Sequence, residues 1–290
     1  MRLNKWISET GRCSRREADE LIAAGRVTRN GAVADLGTQV EDGDDIRIDG
    51  EAVGRERPRA VYIAYHKPVG VVCTTERTVL GNIVDAVDHP ERIFPIGRLD
   101  KDSEGLILLT NDGDIVNEVL RVEHDHDKEY LVAVDRNLTD EALATMARGV
   151  RIDPGSNPTG TTVMTRPCRI EKVGARAFRI VLTQGLNRQI RKMCEAVGYQ
   201  VVGLQRVRIM HIELGHLKAG RWRNLTEAEV AGLKPKEPRP PAPRPAAPPP
   251  PKASKPAAPP AKPRAKPIPF GQPGAPGGPP LGRGGRGRGR

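Results

Sequence analysis

Apolar positions in the first fifty residues follow two periods. Leu3, Trp6 and Ile7 stand at i, i+3 and i+4 and predict one short helix. Ser14 precedes Glu17 by three, the spacing of a capping box, and opens a second helix whose apolar face is Ala18, Leu21 and Ile22. Gly25 is placed to end it. Short apolar runs around Val27, Val33 and 46–48, divided by Asn30-Gly31 and Asp42-Gly43, read as strands joined by turns. Residues 1–53 thus predict a small separate domain, and the polar 54–60 segment reads as a linker.

From 61 to 234 the pattern is mixed. Runs at 61–65, 106–109, 130–134, 178–183 and 201–202 suit strands, and 79–87, 114–120, 139–148 and 187–197 suit helices. Strands dominate and strict alternation of strand and helix is missing. The expectation is an α+β domain with a mostly antiparallel mixed sheet.

Composition changes the picture at the C-terminal end. Twenty of the 27 prolines fall within 235–290, together with 12 Lys or Arg and one acidic residue, Glu237. The whole net charge of +11 therefore sits in this tail, and residues 1–234 are balanced. Such a stretch cannot bury a core and is expected to be disordered, partly polyproline II, with a cationic Gly-Arg end suited to RNA. Its one GxGxxG match, at Gly282, Gly284 and Gly287, has no strand before it and no helix after it, so it is no dinucleotide site.

Other classes find no support in the residues. No apolar run reaches the length of a membrane span, and the N-terminus carries no signal-peptide core. Cys13, Cys73, Cys168 and Cys194 form no CxxC pair, so reduced thiols in a cytoplasmic protein are expected, with no metal site. His124 and His126 lie among acidic residues in VEHDHDKEY, but nothing distant completes a ligand set and a surface loop is the better reading.

Two regions carry candidate chemistry. Lys5, Arg12, Arg15, Arg16, Arg26 and Arg29 crowd the first helix pair, a surface suited to phosphate oxygens or simply to water. The segment Gly97-Arg98-Leu99-Asp100-Lys101-Asp102-Ser103-Glu104-Gly105 puts three carboxylates within five residues, just before an apolar strand. On residues alone, a solvated loop is the commoner meaning.

Family resemblance sharpens both regions. LNKWISETGRCSRREADELIAAGRV, with the later NG and GDDIRIDG, resembles the S-four RNA-binding domain. GRLDKDSEGLILLTNDG resembles the signature loop of the RsuA/RluB/RluF family of ribosomal RNA pseudouridine synthases. KEYLV and QGLNRQIRKMC resemble two further motifs of that family, in family order. The QGLNRQIRKMCEAVGYQVVGLQRVRIM stretch and the following GRWRNLTEAE are similar to its RluF type. The resemblance implies that Asp100 is the catalytic carboxylate, held ionised by a guanidinium from Arg191. Arg191 is expected to point away from the apolar stripe of its helix. Tyr130 is implied to pack on the uracil ring. Asp102 and Glu104 belong to the frame of the loop. Arg98 either fills the stack vacated by a flipped base, or grips a phosphate, or pairs with Asp102 or Glu104. Arg188 is expected to contact RNA.

No cofactor is implied, because the reaction is an isomerisation that needs positioning, a carboxylate and a proton acceptor. The implied partner is structured RNA, a 23S rRNA stem-loop, with a tRNA anticodon loop left open as a second substrate; a monomer is expected. Two rivals remain: a non-catalytic RNA-binding or ribosome-assembly factor, and a synthase that acts on tRNA alone.

Overall fold

In the computed structural model the described residues are 1–54, 58–120, 126–155 and 161–233. The expected disordered tail, 235–290, lies outside them, as do His124 and part of the 54–60 linker.

The N-terminal domain follows from its local signals. Helix α1 (Leu3–Glu9) buries Leu3 and Ile7. Helix α2 (Arg15–Ala23) starts on a complete capping box. The Glu17 amide donates to Ser14 Oγ at 3.1 Å, and the Ser14 amide donates to the Glu17 carboxylate at 2.6 Å. Asn30 and Gly31 take φ of 52° and 82°, so the chain doubles back from β1 (Val27–Arg29) into β2 (Ala32–Val33). Strands β3 (Ile46–Ile48) and β4 (Glu51–Ala52) complete a sheet of order β2-β1-β3-β4.

The second domain begins with β5 (Tyr62–Lys67), α3 (Ile83–Val87), β6 (Phe94–Ile96), β7 (Glu104–Thr110), α4 (Gly113–Leu120), β8 (Lys128–Val134), α5 (Asp140–Arg148) and β9 (Arg151–Ile152). It continues with β10 (Val163–Met164), β11 (Arg169–Gly174), β12 (Ala177–Leu182), α6 (Gln189–Ala196), β13 (Val201–Ile209), β14 (Ile212–Glu213), β15 (Trp222–Asn224) and α7 (Glu227–Leu233). Nine strands form one sheet along the path β11-β12-β8-β13-β7-β5-β15, with β14 beside β13 and β6 beside β7. Among the described residues β13 and β7 are its only parallel neighbours. The fold is the expected α+β arrangement with a mostly antiparallel mixed sheet.

Strand β7 lies inside the sheet, between β13 and β5. Leu106 and Leu108 enter one apolar cluster, whereas Ile107 and Leu109 enter another on the opposite face. Coverage on both faces explains why its apolar run does not alternate. A third cluster packs α5 and α6 against β8 and β12.

Several element boundaries differ from expectation, and three have a clear cause. Strand β13 spans nine residues where only 201–202 reads as strand, because Gln205, Arg206 and Arg208 interrupt its apolar signal. The helix expected over 79–87 starts only at Ile83, capped by Asn82, whose Oδ1 accepts the Asp85 amide. The helix expected from 187 starts at Gln189, because Arg188 adopts a left-handed backbone with φ 50° and ψ 34°.

Candidate active site

A cavity of about 500 Å³ opens between the loop before β7, the start of β8, β13 and the segment entering α6. Arg98, Asp100, Lys128, Tyr130, Arg188 and Arg206 line it. Asp100 sits on a loop held from several sides. Buried Leu99 donates its amide to Cys73 Sγ at 3.3 Å, the Ser103 amide donates to the Asp100 carbonyl at 3.1 Å, and the Gly70 amide donates to the Lys101 carbonyl at 2.8 Å.

Behind this loop the chain passes through Gly105, with φ of 112°. Gly105 faces Arg206 in the parallel β7–β13 register, and an added Cβ would lie 2.3 Å from the Arg206 carbonyl oxygen. Only a residue without a side chain lets β13 come this close to the end of the loop.

The charge pairing differs from the expected one. The guanidinium within ion-pair range of Asp100 belongs to Arg188, with Nη1 3.7 Å from Oδ2. Arg188 is bidentate on Asp102, donating to Oδ1 at 3.1 Å and Oδ2 at 3.0 Å. Arg191 is buried and also turns to Asp102, 3.3 Å from Oδ2. It donates to the Asp102 carbonyl at 2.9 Å, Ser103 Oγ at 3.4 Å and the Val201 carbonyl at 3.2 Å. The α6 stripe of Ile190, Met193 and Cys194 is buried as expected, but Arg191 is buried beside it and clamps the loop from behind rather than reaching Asp100. The Arg188 hydrogen bond, aided by the nearby charge of Arg191, holds the Asp102 carboxyl below its ordinary range, and Asp102 raises Arg188 in turn.

Tyr130 is half-buried on β8, opposite Arg206 in one register and Ile180 in the other. It packs against two of the apolar clusters as well as the cavity. Arg98 is exposed at the rim, and among the described residues no carboxylate pairs with it, so neither Asp102 nor Glu104 is its partner.

Three cations here went unassigned in the sequence. Arg206 is 3% exposed, donating from Nε to the Leu106 carbonyl at 2.7 Å and from Nη1 to the Arg98 carbonyl at 3.3 Å. Lys67 is fully buried and donates to the carbonyls of Pro68 and Val71, both at 2.9 Å. Lys128 donates to the His126 carbonyl at 3.0 Å. Burial pushes both lysine amines down, and Arg206 adds to that effect. The one available signal was a charge interrupting an apolar strand, as at Arg206, which is weak without a fold.

In the N-terminal domain four of the six expected RNA contacts are engaged internally. Lys5 bridges to Asp114 of α4 at 2.7 Å, Arg12 to Glu51 at 3.0 Å, Arg26 to Asp49 at 2.5 Å and Arg29 to Asp44 at 2.7 Å. Arg15 and Arg16 are exposed, with no carboxylate in range among the described residues. The exposed pairs of Lys5, Arg12 and Arg26 contribute at most about 1 kcal/mol each, so phosphate can displace them, whereas the Asp44 side chain beside Arg29 is largely buried. Among the described residues no cluster of three metal-ligating side chains occurs, and no helix is long and apolar enough to cross a membrane.

Known proteins resemble the chain over both domains. A family described as RNA pseudouridylate synthase matches residues 61–196, and the S4 domain matches residues 1–46. The chain is 49% identical over 234 residues to the dual-specificity RNA pseudouridine synthase RluF of Escherichia coli (strain K12), covering 80% of this chain and 78% of that protein. It is 36% identical to the ribosomal large subunit pseudouridine synthase B of Bacillus subtilis (strain 168), covering 80% of this chain and 95% of the relative. A crystal structure of a pseudouridylate synthase superposes with a TM-score of 0.58 at 28% identity, covering 81% of this chain and all of the other.

Proposed function

Because the chain belongs to the RNA pseudouridine synthase family, we propose that it isomerises a uridine of 23S rRNA, and a tRNA anticodon-loop uridine as well, with Asp100 as the catalytic carboxylate. The observation that carries this reading is Asp100 at the wall of a base-sized cavity that also holds Tyr130. The relatives' printed names, one dual-specific and one for the large ribosomal subunit, favour rRNA with a second RNA.

A uridine in a folded stem-loop must be extruded to reach Asp100, at a cost of a few kcal/mol met by new contacts in the pocket. Arg98, exposed at the rim, fills the vacated stack or grips a phosphate. Arg188, already beside Asp100, contacts the RNA backbone, and Tyr130 packs on the ring. Asp100 then either attacks C1′ or takes the 2′ proton, and in both routes the N1–C1′ bond breaks. After the ring turns, C5 bonds to C1′ and loses its proton while N1 takes one up, so the product is an isomer. Arg191 holds the loop through Asp102. Arg15 and Arg16 position the RNA, with Lys5, Arg12 and Arg26 able to exchange their carboxylates for phosphate and Arg29 contacting RNA from its place on Asp44.

The chain is proposed to act as a monomer. Its four free cysteines suit a reducing cytoplasm.

Replacing Asp100 by Asn tests the assignment. RNA binding should persist while pseudouridine, mapped by carbodiimide-stop sequencing of rRNA and tRNA from cells with and without the gene, disappears. Product at the wild-type rate would remove Asp100 from its role.

A further inference from the structure

We propose that Arg206, assisted by Lys128, is a catalytic cation that stabilises the negative charge on the uracil ring as it leaves the sugar. This rests on the synthase reading of the cavity and adds a role that the carboxylate cannot fill.

Charge must move during the reaction. In the attack route the Asp100 oxygen bonds to C1′; in the elimination route it takes the 2′ proton. Either way Asp100 becomes neutral, and the N1–C1′ electron pair departs with the base. The unit of negative charge therefore shifts from Asp100 to the ring, spread over N1 and the O2 carbonyl. It returns when C5 bonds to C1′ and Asp100 either leaves the ester or gives its proton back to C2′. Preorganised donors aimed at such developing charge are a large source of rate.

The cavity holds four cationic side chains, and two are placed for other work. Arg188 is bidentate on Asp102, and Arg98 stands exposed at the rim. Arg206 differs from both. It is nine-tenths buried, its donors meet only neutral carbonyls, and Nη2 is buried with no hydrogen-bond partner. Among the described residues no carboxylate pairs with it or with Lys128.

A buried guanidinium with an unmet donor is costly, and so is like charge beside like charge. Fully buried Lys67 lies near Arg206 and adds to the positive potential. Burial drives the Lys67 and Lys128 amines down and Arg206 adds to that effect, which an anion in the cavity would relieve.

Position agrees with the role. On the sheet Arg206 stands between Tyr130 of β8 and Gly105 of β7, in register with both. It therefore belongs to the end of the cavity where the aromatic ring meets the base.

The test uses the full chain, with total RNA from cells lacking the gene as substrate. Single-turnover formation of the gene-dependent pseudouridine is followed for wild type, Arg206→Ala, Arg206→Lys and Lys128→Met, with RNA affinity measured alongside. Arg206→Ala should slow conversion about 10²–10³-fold with little change in affinity. Millimolar guanidinium chloride should restore part of that rate where sodium chloride does not. Arg206→Lys should retain more activity than Arg206→Ala, and Lys128→Met should show a smaller loss of rate at unchanged affinity. Wild-type rates in Arg206→Ala, a loss explained by weaker RNA binding, or a folded Arg206→Ala that guanidinium fails to rescue would each overturn the proposal. If Arg206→Ala does not fold, a wild-type rate in Lys128→Met overturns it instead. Absence of product from the wild-type chain would strike the synthase reading itself, a separate failure.

Discussion

Asp102 accepts from two arginines at once, so one exposed carboxylate fixes both the segment entering α6 and the loop that bears Asp100. Its carboxyl is depressed in the folded chain, so its contribution to stability is present above the ordinary carboxylate pKa of about 4 and is lost as pH falls through the lower folded value. Asp102→Asn should therefore flatten the acid side of the stability profile, measured by urea unfolding between neutral and strongly acidic pH. An unchanged acid limb would show that the pair contributes nothing. Arg191 makes a different prediction, because it is buried and braces carbonyls. Arg191→Met should cost about 1–3 kcal/mol by leaving the Asp102 and Val201 carbonyls short of a donor. Urea unfolding at neutral pH would measure that loss, and wild-type stability would contradict the bracing role.

At the level of elements, two junctions decide where side chains point. The capping box at the start of α2 satisfies the Ser14 and Glu17 amides that the helix itself leaves open. Ser14→Ala should lower stability by about 1 kcal/mol, seen as a shift of the thermal midpoint, and no shift would mean that the cap is redundant. The crossing of β7 and β13 depends on Gly105. Gly105→Ala must bear both a positive φ and a Cβ driven into the Arg206 carbonyl, so more than about 1 kcal/mol should be lost, with activity falling alongside. Full activity in a Gly105→Ala enzyme of unchanged melting temperature would show that the strands can separate without harm.

Over the whole molecule, charge is divided between a balanced body and a tail of +11. Within the body, most basic groups of the N-terminal domain are already matched to carboxylates, which leaves Arg2, Arg15 and Arg16 as its uncommitted cations among the described residues. RNA affinity should therefore draw heavily on the tail. Deleting 235–290 should weaken RNA binding and flatten its dependence on salt, while conversion at saturating enzyme persists. Equal salt slopes for the full and shortened chains would show that the tail does not reach RNA.

Local physics sufficed for much of this protein. The Ser14 cap, the Asn30-Gly31 turn and the 3.6-residue stripe of α6 each depend on neighbours in sequence, and all are found where periodicity puts them. The family motifs singled out Asp100, Tyr130 and Arg191; the first two meet at one cavity, whose lining does not include Arg191. What the sequence leaves open is set by long-range partners. Arg191 and Arg188 lie three residues apart on one segment, and nothing local says which one faces Asp100; a left-handed Arg188 backbone and the docking of α6 behind the loop decide it. Arg206 reads as a charge spoiling a strand until β13 is laid between Tyr130 and Gly105, because its burial is created by chain segments about 100 residues away.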